Sequence, residues 1–404
     1  MNGFLLINKP SGPTSHDVID QLRRIMGIRQ IGHAGTLDPF ASGLLLVGIG
    51  EATKLLRHYV GLDKKYEAIL RLGATSDTQD KTGKIQETRY KQDTITKLKI
   101  QKVLKSFIGK QKQIPPMYSA KKIGGKKLYE LARQGQTIER EASEIEIYDI
   151  KIILPKFRNS EIPNHLKLYC HVSSGTYIRT LAHDIGQALG CGAYLEELKR
   201  TTIGDFKLEN AIVIASEAIA ERSNPNNALK KISNISDAQC DDRIASVAST
   251  LPRNDILTHA NWQQHLIPLK TVLVSGTFDG VHEGHKNYFQ QARQYGQRLI
   301  AIVARDKVVE QIKGKLPRYS EKERVHFVKQ CPEIDRVYLG VLNNIFDFTA
   351  SLKPDAIALG YDQKAYTENL EQEMKKRGLK TEIIRLKPFC PDKFKSSIIN
   401  GKQH

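Results

Sequence analysis

The chain has 404 residues with 62 Lys/Arg against 44 Asp/Glu, a formal net charge of +18 at pH 7. That length exceeds one ordinary core and predicts two or three domains, and the basic surplus favours a polyanionic partner. No apolar run approaches the ~18 to 20 residues of a membrane helix. Phe4-Leu5-Leu6-Ile7 is too short for a secretory signal core. The five cysteines are scattered, odd in number and without Cys-x-x-Cys spacing, which argues against a zinc ribbon or disulfide framework and suits a reducing cytoplasm.

In chain order, Phe4 to Ile7 reads as a buried strand, and Thr14-Ser15-His16-Asp17 as the cap of a helix carrying Val18, Leu22 and Ile25. Gly32-His33-Ala34-Gly35-Thr36-Leu37-Asp38-Pro39-Phe40-Ala41-Ser42-Gly43 follows. Its glycines permit close approach or positive φ, and Pro39 biases Asp38 towards extended backbone. Asp38 is therefore a lone carboxylate on a constrained loop, with Asp17, Asp20 and Glu51 as the nearest acids in sequence. Tyr66 to Leu72 alternates as a strand, and Ile95 to Phe107 has helical periodicity through Leu98, Val103, Leu104 and Phe107. Gly124-Gly125 sits in a turn carrying Lys121, Lys122, Lys126 and Lys127, fit either to track phosphates or to form an exposed charged hairpin. Ile145 to Ile153 and Leu166 to Val172 are further strands, and Thr176 is placed to cap a helix bearing Ile178, Leu181, Ile185 and Leu189. Mixed strands and helices predict an α+β domain over 1–213.

Charge then shifts. Residues 1–213 hold 33 basic against 22 acidic side chains, 214–269 hold 5 against 6, and 270–404 hold 24 against 16. The middle stretch, with Ser223-Asn-Pro-Asn-Asn227, predicts a linker, partly helical or flexible. From Thr271, strand and helix alternate, which predicts a doubly wound, Rossmann-like parallel α/β domain over 270–404.

Several blocks of the first domain, taken in order, resemble the bacterial tRNA pseudouridine-55 synthase family. They are Asn8-Lys9-Pro10 with Thr14-Ser15, the Asp38 loop with Gly50-Glu51-Ala52-Thr53-Lys54, Lys65-Tyr66 and Leu72 through Asp80. Gln113 through Ala120, Gly125 through Tyr129, Ser174 through Arg179, and Leu198-Lys199-Arg200 complete the set. The resemblance implies isomerisation of uridine 55 in the T-arm of tRNA, without metal or cofactor, on a base flipped out of its stack. It gives Asp38 the role of catalytic carboxylate, Tyr66 that of the aromatic against the base and at the C5 proton step, and Arg179 that of the partner keeping Asp38 ionised. Leu198 becomes a pocket wall. His33, Lys54, Tyr177 and the four turn lysines become RNA contacts. Attack at C1′, attack at C6 and deprotonation at C2′ all remain open for Asp38. The small RNA-binding domain that bacterial members often carry after the catalytic one is not recognisable here, which leaves RNA affinity rather than chemistry in question.

In the second domain, Gly276-Thr277-Phe278-Asp279-Gly280-Val281-His282-Glu283-Gly284-His285 runs from strand into helix. Two histidines three apart beside a helix N-terminus suit phosphate binding. No Walker lysine is present, and a metal reading lacks a third and fourth ligand nearby. The segment resembles cytidylyltransferase-like nucleotidyltransferases, with Lys313-Gly314-Lys315, Gly360-Tyr361-Asp362-Gln363 and Lys395-Ser396-Ser397 in support. The resemblance makes Thr277, Phe278, His282, His285, Lys313, Lys315, Gly360, Asp362, Ser396 and Ser397 nucleotide contacts, with His282 and His285 catalytic. Archaeal-type FAD synthetase is the most similar branch, implying ATP, Mg²⁺ and FMN as the phosphorylated acceptor; CTP with glycerol 3-phosphate is the alternative. The competing reading of the whole chain is an RNA-binding chaperone domain joined to a nucleotidyltransferase that is the main enzyme.

Overall fold

The computed structural model describes residues 1–89, 95–119, 122–123, 126–133, 138–154, 164–214, 256–257, 261–364 and 367–389. They form two compact units, Met1–Ile267 and Pro268–His404. Among the described residues, no helix is long and apolar enough to cross a membrane.

The first unit is built on a mixed sheet. Its strands are β1 (Gly3–Lys9), β2 (Ile31–Ala34), β3 (Ser42–Ile49), β4 (Lys64–Leu72), β5 (Gly109–Gln113), β6 (Ser143–Leu154), β7 (His165–Val172) and β8 (Ala193–Ile203). The main path runs β1-β3-β8-β4-β7-β6-β5, with β2 beside β3. Only the β3–β8 contact in this path is parallel. β4 alternates strictly, burying Tyr66, Ala68, Leu70 and Leu72, as a strand with one core face must.

Helix α1 (Ser15–Met26) starts on a full capping box, in which Thr14 and Asp17 satisfy each other's backbone N–H. It lays Val18, Ile19, Leu22 and Met26 on one sheet face, together with Leu5 and Ile7. The other face is covered by α2 (Lys97–Ser106) and α3 (Ile178–Leu189). α2 corrects one expectation: Leu98 is 77% exposed, while Ile100 and Leu104 are the buried positions. Leu98 lies two residues from Ile100, on the far side of the helix from the packed stripe.

Parts of the expected linker pack on this unit. Ile256–Leu257 pairs in parallel with Val213–Ile214, and Leu257 and Trp262 are buried in the cluster of Leu5, Ile7 and α1. The stretch Ser223–Asn227 lies outside the described residues.

The second unit is a five-stranded parallel sheet. Its strands are β9 (Thr271–Gly276), β10 (Arg298–Val303), β11 (Arg336–Leu339), β12 (Ala356–Leu359) and β13 (Glu382–Arg385), in the order β11-β10-β9-β12-β13. Helices α4 (Glu283–Arg293), α5 (Asp306–Lys313) and α6 (Glu321–Lys329) belong to its crossovers. The chain order reverses between β9 and β12, and such a switch point opens a crevice at the carboxyl ends of the strands.

Candidate active sites

In the first unit the Asp38 loop is held from both sides. Ser15 Oγ donates to the Leu37 carbonyl at 3.1 Å and accepts from the Leu37 N–H at 3.0 Å. Ser11 Oγ donates to the Phe40 carbonyl, and the Gly12 N–H to the Pro39 carbonyl, both at 2.8 Å. Lys9 is wholly buried and its ammonium donates to the carbonyls of Pro10, Pro13 and Pro39 at 2.8, 2.8 and 3.2 Å. Three fixed carbonyls match the three donors of an ammonium, and burial pulls its pKa down to about 8. Gly43 closes the loop at φ 106°, where a Cβ would lie 2.7 Å from the Arg200 nitrogen. No other residue lets β3 come this close to β8.

Arg179 is the second residue of α3. A cation at a helix N-terminus opposes the helix dipole, so it needs carboxylates, and it has two. Its Nε lies 3.0 Å from Asp38 and its Nη2 donates to Asp38 at 3.3 Å. Its Nη1 meets Asp80 at 3.1 Å, and Nη2 also donates to the Tyr118 carbonyl at 2.8 Å. The Asp80 carboxylate further accepts from Thr78 Oγ1 and the Thr82 N–H, both at 2.9 Å. Asp38 is thus alone in sequence but paired in space through a shared guanidinium. Burial pushes the Asp38 carboxyl up; Arg179 pulls it back down, and the Asp80 charge adds to the rise.

Tyr66 is 7% exposed on β4, directly opposite Arg200 of β8 in the strand register. Burial raises its phenol. Leu198 shares the cluster of Tyr66, Leu37 and Phe40. His33 sits on β2, edge-on to His16 with ring centroids 5.7 Å apart, and burial pulls it down to about 4, leaving it neutral. Lys54 is exposed, 4.0 Å from Glu51. The expected cap moves by one residue: Tyr177, not Thr176, is the N-cap of α3, and it uses its backbone. Its N–H donates to Gln113 Oε1 at 2.8 Å and its carbonyl accepts from Gln113 Nε2 at 3.0 Å, while Thr176 Oγ1 turns to Ser173 Oγ. Lys122–Ile123 and Lys126–Lys127 form a two-stranded hairpin; Lys121 lies outside the described residues.

In the second unit, β9 ends at Gly276 and the chain turns through Phe278 at φ 51°. Phe278 is 3% exposed and meets His285 edge-on at 5.3 Å, so its side chain supports the histidine from the core. His282 is the N-cap of α4, and the His282 and His285 rings stack at 3.9 Å. Burial pulls both down, His285 to about 3. Asp279 does not face open solvent alone: its carboxylate accepts from the N–H groups of Arg318 and Tyr319 at 2.9 and 3.0 Å. Arg324, wholly buried, donates to the carbonyls of Thr277, Ala304 and Tyr319 and pairs with Asp306 at 2.6 Å. One guanidinium thereby ties together the loops after β9 and β10 and the start of α6. Thr277, His282, His285, Lys313, Lys315, Gly360 and Asp362 line a single cleft of about 880 Å³. Burial lowers the Lys313 pKa against the pull of Asp279 and Asp362. Ser396 and Ser397 lie outside the described residues. Among the described residues no cluster of His, Cys, Asp and Glu has the arrangement of a metal site.

Residues 23–178 match the TruB family pseudouridylate synthase N-terminal domain, and 179–232 match the tRNA pseudouridylate synthase B C-terminal domain. The chain is 49% identical over 213 residues to tRNA pseudouridine synthase B of Thermosipho melanesiensis, covering 52% of this chain and 67% of that one. It is 47% identical over 230 residues to the enzyme of the same name from Syntrophomonas wolfei, covering 57% of this chain and 75% of that one. The chain belongs to the tRNA pseudouridine synthase B family. The synthase match extends past the expected boundary at Val213, as far as residue 232. A solved Cbf5-Nop10-Gar1 complex is similar with 31% identity and a TM-score of 0.40, over 52% of each chain. Residues 273–401 match a cytidylyltransferase-like domain. The first domain is therefore a tRNA pseudouridine synthase, an isomerase that needs no cofactor, and the second is a cytidylyltransferase-like domain, consistent with a nucleotidyltransferase.

Within the synthase site, four polar residues escaped assignment from sequence: Lys9, Asp80, Arg200 and Ser15. All lie inside blocks of the family resemblance, but their spacing does not reveal that they meet the Asp38 loop or, for Asp80, its partner Arg179. The one available signal was Arg179 itself, a cation predicted at a helix start, which calls for more than one carboxylate nearby.

Proposed function

We propose that the first domain converts uridine 55 in the T-arm of tRNA to pseudouridine, with Asp38 as the reacting carboxylate. The observation that carries this reading is the fork of Arg179 across Asp38 and Asp80, which orients Asp38 and favours its ionised form. A stacked base is out of reach, so the uridine must be flipped towards Asp38, against Tyr66 and the Leu198 wall. His33, Lys54, Tyr177 and the lysines 121, 122, 126 and 127 are the RNA contacts. The position assignment rests on the likeness of the Asp38 loop to synthases acting there. A transcript with uridine 55 replaced by cytidine should gain no pseudouridine, whereas modification elsewhere in it would refute the assignment.

We infer for the second domain an adenylyl transfer from ATP to FMN. An acceptor phosphate oxygen attacks the α-phosphorus and pyrophosphate leaves, while His282, His285, Thr277, Ser396 and Ser397 hold the phosphates and Lys313 and Lys315 neutralise them. Magnesium arrives on the triphosphate as part of that substrate. FMN suits the cleft better than glycerol 3-phosphate because Ile302, Val309, Phe346 and Leu359 are among its lining residues, an apolar surface that a small polyol leaves uncovered. Formation of FAD and pyrophosphate from ATP and FMN tests this; product only from CTP and glycerol 3-phosphate would reverse it. With tRNA and FMN as its substrates, we infer a cytoplasmic protein.

A further inference from the structure

Arg200 stands on β8 directly opposite Tyr66 of β4 and beside Gly43 of β3. It is 1% exposed, one of the largest wholly buried side chains. Its Nε donates to the Leu44 carbonyl at 2.8 Å and its Nη2 to the Gly35 carbonyl at 2.9 Å. The guanidinium therefore grips the chain just before and just after the Asp38 loop. Its charge acts on the phenol of Tyr66, the residue directly across from it in the β4–β8 register. A guanidinium only donates, so towards it the Tyr66 oxygen can serve only as acceptor. Burying such a cation carries a heavy desolvation cost that an apolar side chain of similar volume avoids, which sets Arg200 apart from ordinary packing between strands.

The chemistry supplies a task for this arrangement. Isomerisation breaks N1–C1′ and makes C5–C1′, which leaves C5 with one hydrogen too many. That proton must go to a base, its bonding electron pair restores C5=C6, and N1 takes a proton from water. Tyr66 as phenolate accepts the C5 proton and becomes phenol, having earlier released its own proton to water, so the protons balance.

We propose that Arg200 is the positioning residue that makes Tyr66 this base: it holds the phenolate oxygen as an ion pair and, through Gly35 and Leu44, fixes that oxygen relative to Asp38. Burial pushes the phenol up, and Arg200 is the group that acts most strongly against that rise. The proposal rests on the pseudouridine synthase reading of the site.

The test is single-turnover conversion by the full-length chain of tRNA transcripts made with uridine or with [5-²H]uridine. Arg200→Lys keeps the charge but has no fork to span Gly35, Leu44 and Tyr66 together. It should bind tRNA within about threefold of wild type, convert it about 10²-fold more slowly, as the loss of a positioned base does, and show a larger deuterium effect than wild type. In a Tyr66→Phe background the same substitution should add nothing further, the signature of two groups acting as one. A slower variant with an unchanged isotope effect, or an equal loss in both backgrounds, would overturn the proposal. Arg200→Gln keeps a planar donor without the charge and guards against misfolding of the lysine variant. If both variants lose tRNA binding, the residue is architectural and the proposal fails. Absence of conversion by the wild-type chain would instead refute the synthase reading, and the proposal with it.

Discussion

Replacing Asp80 by Asn removes one of the two carboxylates on Arg179 while changing shape very little. The Asp80 and Arg179 side chains are 4% and 5% exposed and 3.1 Å apart. Two charges near 4 Å attract by about 4 kcal/mol at an effective dielectric near 20. Arg179 keeps Asp38 and the Tyr118 carbonyl, so only part of that attraction is lost, and about 2 to 3 kcal/mol is the share that remains after this compensation. The asparagine amide also presents its own N–H to Nη1 if its oxygen stays on Thr78 and Thr82. Arg179 then turns towards Asp38 alone and carries the carboxylate out of line. At 1.36 kcal/mol per tenfold, the conversion rate should fall by ~30- to 150-fold. Single-turnover pseudouridine formation reads the rate, and filter binding reads tRNA affinity, which should stay within about threefold because the Asp80 side chain is buried and presents nothing to RNA. A conversion rate within threefold of wild type would show that Asp80 only folds its own turn.

As the proposed reacting carboxylate Asp38 must be ionised, and burial raises its carboxyl, so the rate should fall with acidification through a midpoint above the ordinary aspartate value of ~3.9. Asp80→Asn removes a charge that raises Asp38 further, so that acid limb should move to lower pH; a move upward in the pH–rate profile contradicts the geometry. Gly43→Ala places a Cβ against the Arg200 backbone at a positive φ, and should lower stability by at least about 2 kcal/mol in denaturant titration, with an unchanged midpoint as the contrary result. Arg324→Ala takes the buried guanidinium partner from the half-buried Asp306 and frees three loop carbonyls. Nucleotidyl transfer should fall at least ~10-fold with pseudouridylation intact; equal loss of both would show that Arg324 supports more than the second unit.

Local pattern carried the fold a long way. The alternation of Tyr66 to Leu72 and the capping box at Thr14 are decided by residues within one turn or one strand, and both elements formed as read. Strand and helix alternation after Thr271 was enough for a parallel sheet, because parallel neighbours need a crossover. The Asp38 loop was legible since small residues and a proline leave the backbone few choices. What stayed hidden depends on distance along the chain: Arg179 meets Asp80 across 99 residues, and Lys9 reaches Pro39 across 30. A lysine beside a proline gives no local sign of being buried among three carbonyls. Thr176 lost the cap to Tyr177, whose backbone N–H and carbonyl are both held by Gln113, 64 residues earlier. Leu98 misled because an apolar residue on a helix can face solvent without disturbing the packed stripe.

The most direct test of the central claim is base-resolution pseudouridine mapping of an unmodified tRNA transcript after incubation with the full-length chain and, separately, with its Asp38→Asn variant. One pseudouridine, at position 55, is expected from the first protein and none from the second. Equal conversion by both proteins, or none by the wild-type chain, would contradict that claim.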